Sequence, residues 1–447
     1  MRKVICRSLV PLLLLVATPL FAQRGATQRV QVQIAPDHVD WKYAVGENAM
    51  FTVKATKDGM PLSGAKVNWS IGPEGMPAVK TGTADLTADG LKIDGGSMKE
   101  PGFLRLVAMV QDEGASIRGI GTAGFDPEKI KAVTGEPADF DQFWNEGKAA
   151  LARIPLAPVL KPDPTRTTET MDSFEVSIQT IGGSGRGNSR IFGILTMPKA
   201  PGKYPALLRV PGAGIYPAAS ITRDHEERVI SLSIGIHGIP LTMDPSVYQN
   251  LSSGALSNYQ SLNLDSKERY YYRRVYLSCV RAIDYLTSLP NWDGKNVAVM
   301  GNSQGGALAI VTAALDPRVG ALGVFHPALS DQMGYLNGRV GGWPGLFRDP
   351  EYQTKAKMDT ALYYDVVNFA KRIKVPGIYT WGYNDETCAP TTTYAAFNLV
   401  TAPKILTLEK ETGHTIVPPQ RARINLWIQT FLKTGVAPNG VVTPAAQ

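Results

Sequence analysis

A chain of 447 residues, 44% hydrophobic and 19% charged, is too long for one small core and suits two or three domains. Its formal charge is +7, but Arg2, Lys3 and Arg7 supply three of those charges, and the other basic residues are scattered among acidic ones, so no nucleic-acid-binding surface is expected. Cysteine is scarce and no Cys/His cluster has zinc-ligand spacing, so no metal and no other cofactor is expected.

Residues 1–22 run from Arg2 and Lys3 through the apolar "LVPLLLLVATPLF" to Ala22, which is the charge, apolar core and small-residue site of a secretory signal. A mature chain beginning near Gln23, exported to a periplasm or to the outside, is the expectation. No later stretch approaches about 20 uninterrupted apolar residues, so no membrane span is expected. Cys6 precedes the apolar core, which argues against a lipoprotein anchor. Cleavage would leave Cys279 and Cys388, open to one disulfide or to two buried thiols.

Residues 25–125 alternate as half-buried strands do, in "RVQVQIAP", "AMFTVKAT", "AKVNWSI" and "GFLRLVAMV", with Gly, Asp and Pro turns between them. This pattern predicts an antiparallel, immunoglobulin-like β-sandwich. The stretch "VGENAMFTVKATKDGMPLSGAKVNWSI" resembles the immunoglobulin-like modules beside catalytic domains of exported bacterial enzymes. Residues 124–137, "GFDPEKIKAVTGEP", read as a linker. From 137 to 435 strands and helices take turns: "SRIFGILTMP" and "YPALLRVPGAG" as strands, residues 270–290 as an amphipathic helix, "VAVMG" as a strand and "GGALAIVTAAL" as the helix after it. "ALGVFHP", "VPGIYTWG" and "KILTLEK" supply further strands, and the whole predicts a mostly parallel sheet covered on both faces.

Within "VAVMGNSQGGALAI" a serine, Ser303, stands between Gly301 and Gly305 at a strand-to-helix turn. Such a turn holds a serine Oγ clear of the sheet, and the small residues on either side let backbone approach. A serine hydroxyl needs a base to take its proton, usually a histidine oriented by an acid. Only His326 and His414 follow Ser303. In the α/β-hydrolase order of serine, acid, histidine, His414 is the base, because it follows the last predicted strand. Asp385, just past the strand in "VPGIYTWGYNDETCAP", is the candidate acid, with Glu386 and Asp331 as alternatives. An oxyanion would be held by the backbone N–H of Gln304, and a second donor is expected from "RVPGAGIYP" at Ala213.

Three long stretches, "PADFDQFWNEG" at 137–147, residues 270–309 and "GYNDETCAPTTTYAAFN" at 382–398, closely resemble the acetyl xylan esterase and cephalosporin C deacetylase family of α/β-hydrolase carbohydrate esterases. The resemblance implies Ser303, Asp385 and His414 as the triad, Gln304 and Ala213 as oxyanion donors, and an acetylated carbohydrate as substrate. It also implies a homo-oligomeric ring, which an added sandwich would obstruct. Two departures stand out: the family's Arg-Gly-Gln appears as His237, Gly238 and Ile239, and its His-Glu pair as His414 and Thr415. Tyr216 and Trp343 offer aromatic faces for a sugar ring. The expectation is a serine esterase removing O-acetyl groups from sugars or polysaccharides; a peptidase or amidase of the same fold, or an inactive glycan-binding protein, are the alternatives. Since every assigned residue falls between Ala213 and His414, a chain beginning near Thr134 is expected to fold and act without the sandwich.

Overall fold

The computed structural model describes residues 30–182, 187–217 and 228–442. The expected secretory segment lies outside the described residues. Apolar residues at every second position build the N-terminal β-rich region: Phe51, Val53 and Ala55 on one strand, and Leu106, Ala108 and Val110 on another, are buried in its core. The strands are β1 (Val30–Pro36), β2 (Lys42–Tyr43), β3 (Ala49–Lys57), β4 (Met60–Pro61), β5 (Lys66–Pro73), β6 (Lys80–Asp85), β7 (Leu91–Gly96), β8 (Gly102–Asp112) and β9 (Ala115–Phe125). One sheet runs β1-β3-β4 with β7 also on β3, and the other runs β2-β9-β8-β5-β6. Strand β9 carries glycines that β-propensity alone would argue against. A Cβ on Gly119 or Gly121 would come within 2.5 Å of Val32 or Ile34 of the facing sheet, so the close approach of the sheets requires glycine there.

The second unit is built on a nine-stranded sheet in the order β10-β11-β12-β14-β13-β15-β16-β17-β18. These are Val159–Pro162, Met171–Ile181, Asn188–Pro198, Tyr204–Val210, Ile230–Gly235, Trp292–Asn302, Ala321–Phe325, Gly377–Trp381 and Lys404–Leu408, numbered β10 to β18 along the chain. β10, β11 and β12 pair antiparallel at one edge, and the other six strands are parallel. The helices are α1 (Phe140–Ala152), α2 (Pro245–Ser253), α3 (Tyr271–Ser288), α4 (Gln304–Leu315), α5 (Lys355–Leu362), α6 (Val366–Ala370), α7 (Pro390–Phe397) and α8 (Pro418–Thr434). Successive strand residues divide between the two faces: Leu208, Val299 and Tyr379 join α3 and α4 in one core, whereas Leu207, Ala298 and Ile378 pack with Trp427 and Ile428 of α8. The parallel strands therefore lack a polar side, and their C-terminal ends carry the loops that matter for chemistry.

The segment expected to be a linker is docked instead. The N–H groups of Val133 and Thr134 donate to Asp331 Oδ1 at 2.8 and 2.9 Å, and Asn398 Nδ2 donates to the carbonyls of Pro127 and Ile130 at 3.0 and 2.9 Å. Trp41 and Phe103, from the β-rich region, belong to the core of the α/β unit, and the Phe103 ring meets Tyr383 edge-on at 4.9 Å. The β-rich region is thus packed against the α/β unit, and removing it would expose buried aromatic surface on the unit left behind.

Candidate active site

Strand β15 ends at Asn302 and α4 begins at Gln304, so Ser303 alone makes the turn, with φ 58° and ψ −121°. Side chains other than glycine rarely adopt such a backbone, and strain of this kind concentrates at functional sites. Neighbouring backbone closes around it as the glycines allow. A Cβ on Gly301 would lie 2.4 Å from Gly305 O, and one on Gly305 would lie 2.5 Å from Val210 O. The Ser303 N–H donates to Phe325 O at 2.9 Å, and its carbonyl accepts from Ala328 N–H at 3.1 Å, which ties the turn to the end of β16.

The structure brings Ser303, His414 and Asp385 together. His414 Nε2 is 3.0 Å from Ser303 Oγ, and His414 Nδ1 is 2.7 Å from Asp385 Oδ2. The carboxylate only accepts, so Nδ1 carries the proton and Nε2 is free to take one from the serine. Asp385 follows β17 and is fully buried, and its Oδ1 accepts from the N–H groups of Thr387 and Cys388, both at 2.8 Å. Burial alone would raise its pKa, but hydrogen bonds from His326 and His414 outweigh it and hold the carboxyl down at about 2.

His326 is a partner that chain order did not select. It follows β16, is 1% exposed, and sets Nδ1 3.0 Å from the same Asp385 Oδ2 that holds His414. Burial pushes the pKa of the Cys388 thiol well above the ordinary value, so it stays neutral. Cys388 and Cys279 are both buried free thiols. The alternative acids serve elsewhere: Glu386 forms a two-pronged pair with Arg118 at 2.8 and 2.6 Å, and Asp331 receives Val133, Thr134 and Arg339.

The loop after β13 carries Ala213 beside the nucleophile turn and is clamped from three sides. Gln304 Nε2 donates to Gly212 O at 3.2 Å, while its Oε1 accepts from the hydroxyls of Tyr259 and Tyr272, each at 2.7 Å. His237 Nε2 donates to Gly214 O at 2.9 Å and Nδ1 accepts from the Tyr271 hydroxyl at 2.7 Å. Burial is the main cause that lowers the His237 pKa, to about 4, so the ring is neutral and the tautomer is fixed by Gly214. Tyr216 donates its hydroxyl to Gly212 O at 3.2 Å, forming part of the same clamp.

The two aromatic sugar-platform candidates do not share a cavity. Tyr216 lines one with Gly212, Asn302 and Ile416, whereas Trp343 lines another with Tyr335, Arg348, Glu386 and Thr387. A third cavity borders His414 itself and is walled by Val32, Arg118 and Ile120 of the β-rich region. Among the described residues, His326, Asp385 and His414 form a group whose donor atoms lie within 4.8 Å of one another, close enough for a metal to be considered. Both Nδ1 atoms need their protons to reach one carboxylate oxygen, so hydrogen bonds already knit this set together.

Residues 128–431 match the family model for acetyl xylan esterase. The acetyl esterase Axe7A of Xylanibacter ruminicola is 41% identical over 403 residues, covering 89% of this chain and 90% of that protein, a match that extends into the β-rich region. Two solved structures cover 68% of this chain with a TM-score of 0.58: an acetyl xylan esterase from Paenibacillus sp. R4, 26% identical over 98% of its length, and acetyl xylan esterase 1 from Thermoanaerobacterium sp. JW/SL YS485, 23% identical over 97%. On these grounds the chain belongs to the acetyl xylan esterase family and has the α/β-hydrolase fold.

Proposed function

We propose that this carboxylic ester hydrolase is an exported enzyme that removes O-acetyl groups from xylan or a related polysaccharide through an acyl-enzyme. The observation that carries the reading is the continuous relay from Ser303 Oγ to His414 Nε2 and from His414 Nδ1 to Asp385, set on a strained turn. Ser303 attacks the acetyl carbonyl while His414 takes its proton; the collapsing tetrahedral intermediate expels the sugar oxygen, which His414 protonates to a hydroxyl, leaving Ser303 acetylated. Water then enters, gives its proton to His414, and releases acetate and free Ser303. Asp385 keeps His414 in the Nδ1–H tautomer and offsets the charge of the imidazolium. The N–H groups of Gln304 and Ala213 hold the oxyanion, and the neutral His237 and the Gln304 side chain fix the loop that presents Ala213.

Export rests on the charge and apolar pattern of residues 1–22, and N-terminal sequencing of the secreted protein should begin near Gln23. The two facing sheets at residues 30–125, antiparallel apart from the short β2–β9 pairing, support an immunoglobulin-like reading of the β-rich region. The decisive test replaces the nucleophile. S303A should lower turnover of p-nitrophenyl acetate by about three orders of magnitude or more with the fold intact, because the change removes one oxygen. The parent should release acetate from acetylated xylan and leave peptide amides uncut. Retained turnover in S303A, or cleavage of amides in preference to acetyl esters, would overturn the proposal.

A further inference from the structure

The β-rich region reaches into the site from behind the acid. Arg105 on β8 is 7% exposed; its Nη2 donates to the carbonyls of Tyr383 and Asp385 at 3.0 and 3.1 Å and to Glu74 Oε2 at 3.1 Å, and its Nε donates to Thr122 Oγ1 at 3.0 Å. Glu74, 2% exposed, accepts from the N–H of Thr391 with its other oxygen at 2.6 Å. The pair therefore grips both ends of the segment from Tyr383 to Thr391, the one that aims the Asp385 carboxylate. Asn384 adds a bond from its Nδ2 to Ile120 O at 3.2 Å. A buried ion pair is weak evidence for stability, because desolvation offsets the attraction. Here, however, the pair spends its hydrogen bonds on the backbone of the acid loop, where a displacement of about 1 Å can cost roughly a hundredfold in rate.

We propose that Arg105, held by Glu74, is a positioning residue for Asp385, so that the N-terminal β-rich region completes the active site of the hydrolase unit. The proposal rests on the reading of Ser303, His414 and Asp385 as the triad. The guanidinium touches no reacting atom; it fixes two carbonyls of the loop and thereby the distance from Asp385 to His414. The structure also supplies the reason that a guanidinium is needed: one planar group reaches both carbonyls, the carboxylate and a hydroxyl at once, which an ammonium cannot do.

The test uses the full chain carrying R105Q together with E74Q. The double change removes one basic and one acidic side chain together and keeps a side-chain carbonyl for the Thr391 N–H. With p-nitrophenyl acetate, and with active sites counted by fluorophosphonate labelling run to completion, kcat should fall by about 10- to 100-fold while KM stays within about threefold. The acidic limb of kcat/KM should move to lower pH, because a less well-aimed Asp385 stabilises the His414 imidazolium less. A kcat within about threefold of the parent would overturn the proposal, as would a loss with the acidic limb unmoved or with KM raised in step, either of which would mark general damage. If the double variant does not fold, R105K, which keeps the charge but not the fork, is judged by the same criteria. S303A separates the two failures: an active S303A sinks the triad itself, whereas an inactive S303A beside an unchanged Arg105 variant sinks only the positioning role.

Discussion

A single carboxylate oxygen, Asp385 Oδ2, receives the Nδ1–H of two histidines, and this concentration of donors is what makes burial of the charge tolerable. Because the pKa of Asp385 is depressed in the folded state, its contribution to stability is fully present above the unfolded value of about 3.9 and is lost as pH falls from there towards about 2. His326 is the second donor to that oxygen, its ring 5.3 Å from the His414 ring. In H326A the carboxylate loses one charge-assisted bond, a class worth about 1.5 kcal/mol or more, so kcat on a small acetyl ester is expected to fall about tenfold while labelling of Ser303 still goes to completion. Acid unfolding, followed by circular dichroism, should begin at higher pH than in the parent, since the remaining donor depresses the acid less. A kcat within about twofold would mean that His326 only fills space.

The loop after β13 and the turn after β15 are separate elements that Gln304 joins, since it opens the helix after the turn and its side chain donates to Gly212 O. Q304A keeps the N–H but releases the loop and leaves the Tyr259 and Tyr272 hydroxyls without their acceptor. A fall of about tenfold or more in kcat is expected, with crystallography showing residues 211–216 displaced; an unmoved loop with full activity would rule the clamp out. His237 gives that clamp a pH dependence. Its folded pKa lies below its unfolded value, so stability is complete above about 6.5 and declines as pH falls towards about 4. In H237Q the drop in Tm between pH 7 and pH 5 should shrink; an unchanged drop would place the titration elsewhere. That Ser303, Asp385 and His414 come together was legible in the sequence, because each follows a strand and the chain order is restrictive. The second histidine, the Gln304 side chain and the His237 brace were not, since each depends on a contact between residues far apart in sequence that leaves no period or motif. Gly119 and Gly121 hid β9 for a similar reason: a residue chosen by the facing sheet looks locally like a turn.

At the scale of the whole molecule, the two sheets of the β-rich region and the nine-stranded sheet share buried surface through Trp41, Phe103 and Ile130, and the buried Arg105–Glu74 pair of the β-rich region hydrogen-bonds the backbone of Tyr383, Asp385 and Thr391. The sequence gives no sign of this, because apolar alternation marks a residue as buried without saying against what. The relatives fit the same division: the solved acetyl xylan esterases match nearly their full length to 68% of the chain, whereas the Xylanibacter acetyl esterase matches 89% of it. A unit with its own partners for Tyr383 and Tyr394 needs no second body, but here Phe103 occupies that place. Calorimetry of residues 23–447 is therefore expected to show one cooperative transition, because units that share a core unfold together. A chain beginning at Thr134 would expose the aromatic surface that Phe103 covers, lose the Arg105 grip on the acid loop, and retain less than a tenth of the parent kcat on p-nitrophenyl acetate, a change of about 1.4 kcal/mol or more in the barrier. Two resolved transitions in the full chain, or a soluble Thr134–Gln447 chain with parental kcat, would show that the seam is an ordinary linker contact and that the hydrolase unit positions its acid unaided.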